Sequence, residues 1–100
     1  MRLLSFGHGY SAQALADILL PLGWKIRATT RSKEKFSKIV KPGIVTRIWP
    51  DQLLIDDLEW ATHLLISIAP DKYEDLVLKE FREKIIKNIK HFNWVGYLST

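Results

Sequence analysis

Cysteine is absent from this 100-residue chain, which excludes a disulfide framework and any thiolate metal site. Long apolar runs are absent as well, and nothing approaches the roughly 18 residues that a membrane span requires. Met1 to Phe6 includes an apolar run, but it is far too short for a signal sequence and glycines follow at once. There is no internal repeat, linker or low-complexity stretch. What remains, 47% apolar and 26% charged, is the composition of one ordinary globular domain over residues 1–100, expected to be cytoplasmic.

Acidic residues are scarce in one stretch. Between Lys25 and Arg47 stand eight basic residues against the single Glu34, a net +7 in a chain of +4, leaving −3 elsewhere. Phe36 is the only aromatic in that window, so it lacks the interleaved stacking residues of a nucleic-acid surface.

The elements alternate. Leu3 to Phe6 is a short apolar run ending at Gly7, as in a buried parallel strand. Leu15, Ile18, Leu19 and Leu22 then follow a helical spacing that Pro21 and Gly23 close. Lys25–Thr30 reads as a second strand, and Ser32 as the N-cap of a helix running through Phe36, Ile39 and Val40. Ile44–Ile48 is a third strand, followed by a helical turn from Leu53 to Leu58 and an apolar fourth strand from His63 to Ala69. Asp71 with Glu74 resembles a capping pair for a helix striped by Leu78, Phe81, Ile85 and Ile89; Asn93 to Ser99 is a fifth strand. Strands alternating with helices predict an α/β fold: a three-layer, Rossmann-type parallel sheet in the order 3-2-1-4-5. Its ligand crevice would lie at the carboxyl ends of the first and fourth strands.

The segment Gly7-His8-Gly9-Tyr10-Ser11-Ala12 is G-x-G-x-x-A, set directly between a strand and a helix. In that context each small residue has a task. Gly7 allows the tight turn, Gly9 lets a pyrophosphate approach the backbone, and Ala12 brings the helix close to the sheet. The phosphates would meet free N–H groups at the positive end of the helix. An NAD site usually carries Asp or Glu at the end of the second strand; here Thr29-Thr30-Arg31-Ser32 stands instead. A guanidinium and small hydroxyls suit a 2′-phosphate, which favours NADP(H) while leaving NAD(H) admissible.

These segments, with Ile66-Ser67-Ile68-Ala69-Pro70 and Tyr97-Leu98-Ser99-Thr100, make the chain resemble the atypical extended short-chain dehydrogenase/reductases, the NAD(P)-dependent epimerase/dehydratase-like proteins. The resemblance implies an oxidoreductase cofactor site formed by Gly7, His8, Gly9, Tyr10, Ser11, Thr30, Arg31, Ser32, Ile68, Ala69 and Pro70. It offers Asp51 as a displaced counterpart of the acidic residue near adenine, and Ser99 or Thr100 as a remnant of the catalytic hydroxyl. The Tyr-x-x-x-Lys pair of such enzymes has no match: Val77 follows Tyr73 at that spacing and Ala14 follows Tyr10.

The chain is therefore expected to be a truncated or split member that binds a dinucleotide without catalysing alone. It would pair as a homodimer or with a polypeptide supplying the C-terminal half. A stand-alone nucleotide-sensing module and a non-binding structural remnant are the competing readings. No metal site is expected: His63 and His91 are far apart and read as structural. Asp56, Asp57 and Glu59 read as a solvated face, and Trp24, Trp49, Trp60 and Trp94 as core packing.

Overall fold

Strand β1 (Arg2–Phe6) delivers the chain into the glycine loop, and helix α1 (Tyr10–Leu19) carries it away, prolonged by a 3₁₀ turn over Leu20–Leu22. Strand β2 (Lys25–Thr30), helix α2 (Lys33–Ile39), strand β3 (Ile44–Ile48), helix α3 (Leu54–Trp60), strand β4 (His63–Ile66) and strand β5 (Trp94–Tyr97) follow. The computed structural model describes residues 1–30, 33–48, 54–67, 83–84, 86–87 and 90–97. All pairings are parallel and the order is β3-β2-β1-β4-β5, as the alternation predicts. Residues 83–84 and 86–87 are helical, within the stretch expected to form a helix beyond Asp71; Asp71 itself lies outside the described residues. Among the described residues no helix is long and apolar enough to cross a membrane.

The period of two in β1 explains the layers. Leu3 joins one core with Ala12, Ala16, Ile26, Ala28, Ile39, Ile44 and Leu65; Leu4 and Phe6 join another with Leu58, Ala61, Leu64 and Phe92. A central strand buried on both faces needs apolar side chains at successive positions, which is how the first run reads. The face that α1 buries differs from the expected stripe. Ala12 and Ala16 are buried with Leu15 and Leu19 packed beside them, whereas Ile18 and Leu22 are exposed. The small alanines let the helix lie close to the sheet, and that rotates its contact line away from the larger side chains.

The second core holds a charge. Asp57 has no exposed surface; its carboxylate accepts from Arg27 Nη1 at 2.7 Å, Arg47 Nε at 2.5 Å and Arg47 Nη2 at 3.1 Å. Arg27 also stacks on Trp60, 4.1 Å from the ring centroid. Asp56 and Glu59 are exposed, as expected of a solvated face, but Asp57 is not. It faces inward because β2 and β3 turn Arg27 and Arg47 to the same covered side, where guanidiniums need a carboxylate.

The tryptophans divide. Trp24 and Trp60 pack against the cores, while Trp94 is 47% exposed and folds over Gly96, leaving no room for a side chain there; Trp49 lies outside the described residues.

Candidate functional site

The winding reverses at β1, so the crevice between β1 and β4 opens at their carboxyl ends. The loop Gly7–Gly9 sits there. Gly7 has φ 79, a left-handed conformation that a side chain would strain. Gly9 is the N-cap of α1 with φ −82, an ordinary value, and a Cβ built on it would meet only the Gly7 carbonyl at 3.8 Å. Among the described residues, neither backbone conformation nor neighbouring atoms demand glycine at position 9. No side chain caps α1, and among the described residues no hydrogen bond is made to the N–H groups of Tyr10, Ser11 or Ala12. A helix start with bare N–H groups and an open approach over a glycine is a cradle for an anion.

The loop is held from three directions. Ser67, one residue beyond β4, donates its hydroxyl to the Gly7 carbonyl at 2.8 Å and its N–H to the Phe6 carbonyl at 2.9 Å. From β2, Thr29 Oγ1 accepts the Gly7 N–H at 3.1 Å and the Thr29 carbonyl accepts the His8 N–H at 3.1 Å. Beneath the loop the His8 ring is buried, with Nδ1 sharing a hydrogen bond of 2.7 Å with Ser5 Oγ. Gln13 Nε2 completes the frame by donating to the His8 carbonyl at 3.3 Å.

Gly7, His8, Gly9, Tyr10 and Ser11 thus come together at the crevice mouth, next to the end of β2 where Thr30 is buried. Arg31, Ser32, Asp51, Ile68, Ala69, Pro70, Ser99 and Thr100 lie outside the described residues. Ser5 was not among the expected site residues, and Thr29 and Ser67 were expected beside the cofactor rather than as tethers of the glycine loop. The signal for them was a hydroxyl interrupting an apolar strand, since a buried polar group must find a partner. The basic window also separates in space. Arg27 and Arg47 serve Asp57, and Lys41 Nζ pairs with Asp17 at 3.0 Å, leaving exposed Lys33 and Lys38 on α2. Among the described residues no three His, Asp or Glu are grouped to hold a metal.

Burial lowers the pKa of His8 below 6.5, with Lys41 adding to the effect and Asp17 opposing it. Burial and then the N-terminal ammonium lower that of His63, whose Nδ1 meets Thr62 Oγ1 at 2.8 Å. A base whose folded pKa is depressed takes up its proton more readily when unfolded, so stability is lost as pH falls from 6.5 toward the folded value. Melting temperature should therefore decline from pH 7.5 to pH 5.5, and more steeply in the wild-type chain than in His8→Gln. Parallel curves would show that the His8 ring carries no such linkage.

No family model matches this sequence, and no curated protein does. Solved structures do. A functionally unknown conserved protein from Silicibacter pomeroyi aligns over 99% of this chain and 35% of its own, with 43% identity and a TM-score of 0.83. Gre2 from Candida albicans in complex with NADPH aligns over 97% of this chain and 36% of its own, at 16% identity and a TM-score of 0.73. Yeast methylglyoxal/isovaleraldehyde reductase Gre2, complexed with NADPH, aligns over 70% and 25%, at 23% identity and a TM-score of 0.53. The chain thus spans at most 36% of the length of these proteins. The two Gre2 proteins share its Rossmann-like fold.

Proposed function

We propose that this chain binds a nicotinamide dinucleotide, NADPH in preference to NADH, with the pyrophosphate seated over Gly9 at the start of α1. The observation that carries the reading is the glycine at position 9, which the chain's own packing and backbone leave unexplained. A group from outside the chain explains it, and an anion suits the bare N–H groups beside it. The NADPH in the two Gre2 structures that share the fold supports the same choice of ligand.

Preference for the 2′-phosphate rests on Arg31, which follows β2 directly in the sequence where an NAD site usually carries a carboxylate. Titration of both dinucleotides by calorimetry tests it. Arg31→Asp should erase the preference for NADPH, and an unchanged preference sinks the assignment. On this reading the 100 residues bind without turnover, because no tyrosine in them is followed four residues later by lysine.

A further inference from the structure

Two peptide groups flank Gly7, and each is held at both ends by the same two residues. In the Phe6–Gly7 peptide the carbonyl accepts from the Ser67 N–H at 2.9 Å and the N–H donates to Thr29 Oγ1 at 3.1 Å. In the Gly7–His8 peptide the carbonyl accepts from Ser67 Oγ at 2.8 Å and the N–H donates to the Thr29 carbonyl at 3.1 Å. Each peptide therefore has a backbone tether and a hydroxyl tether, with Ser67 Oγ also reaching the Phe6 carbonyl at 3.4 Å, and the two hydroxyls come from opposite flanks of β1. Pairing of β1 with β2 and with β4 proceeds through backbone bonds, so neither hydroxyl is needed to build the sheet.

Their effect falls on orientation. A glycine at φ 79 is the residue best able to let its peptide planes swing. Were the Gly7–His8 plane to turn over, its carbonyl would leave Ser67 Oγ and its N–H would leave the Thr29 carbonyl, and Gly9, which leads into α1, would lose its set direction.

We infer that Thr29 and Ser67 are positioning residues for dinucleotide binding, locking the planes around Gly7 so that the start of α1, with its bare N–H groups, stays aimed at the pyrophosphate. This rests on the cofactor reading above and adds to it the means by which the loop is kept ready. The lock lies under the part common to both dinucleotides, so it sets affinity without setting preference.

The test is titration of NADPH and NADH into the wild-type chain, Ser67→Ala, Ser67→Thr and Thr29→Val, at a temperature where circular dichroism shows each fully folded. Ser67→Ala and Thr29→Val should each weaken both dinucleotides by the same factor, about fivefold for one lost neutral hydrogen bond. Ser67→Thr, which keeps the hydroxyl, should restore the wild-type value. A merely structural role would move melting temperature without this common factor and its rescue. If the wild-type chain binds and Ser67→Ala binds equally well, or if the loss falls on one dinucleotide alone, the positioning role is overturned while the cofactor reading stands. A wild-type chain that binds neither dinucleotide overturns the cofactor reading, and this role with it.

Discussion

A Gly9→Val protein is expected to fold and yet to lose binding of NADPH and NADH alike, on the order of a hundredfold. Folding survives because φ −82 suits any residue and a Cβ at this position reaches nothing nearer than 3.8 Å. The cost to the chain itself is that of a poor N-cap, about 1 kcal/mol, since valine is far less favoured there than glycine. Binding fails for a different reason: branched methyl groups would stand where the pyrophosphate must touch the start of α1. Gly9→Ala, with a single methyl, should fall between the two. Calorimetric titration alongside a melting curve separates the effects. Undiminished NADPH binding by Gly9→Val would remove the pyrophosphate from this loop altogether.

Asp57→Asn should cost about 3 kcal/mol of stability, because it leaves two guanidiniums facing a covered layer without a counter-charge. The value is set at the low end of what a broken buried pair costs. The arginine side chains keep 25% and 18% of their surface in water and can recover part of their hydration. For a domain of this size such a loss lowers the melting temperature by roughly 12–24 °C. Denaturant titration checks it. A loss below about 1 kcal/mol would mean that the cluster behaves like an exposed surface pair.

Strand alternation was legible because β1 and β4 are mostly apolar and short turns separate the elements. The order of the sheet then followed from the doubly wound pattern that such alternation makes, not from any residue. The glycine loop was legible from its place between a strand and a helix. What escaped notice depends on partners far apart in the chain. Asp57 looks like one of three carboxylates on a short helix until Arg27 and Arg47, on the two neighbouring strands, are seen to face it. Applying the period of two to β2 would have exposed the problem, since Arg27 and Thr29 share the face opposite Ile26 and Ala28. The α1 stripe was misplaced for a simpler reason: alanine was not counted among the core residues, although close approach to the sheet requires it.

The central position of β1 also orders events in time. One of its partners is near in sequence, with Arg2 opposite Lys25; the other is remote, with Leu3 opposite His63. Joining remote segments takes longer, since more of the chain must lose its freedom before any contact forms. Strands β1 to β3 are therefore joined by the shorter connections, and the pairing of β1 with β4 closes the longer one. Ser67 arrives with it, so during synthesis, when the N-terminal part emerges first, the glycine loop is gripped only from the Thr29 side. The glycine loop is among the first segments made and among the last to be gripped on both sides. A dinucleotide that recognises the finished loop selects chains whose sheet has already closed across β1 and β4, drawing the population toward the complete fold.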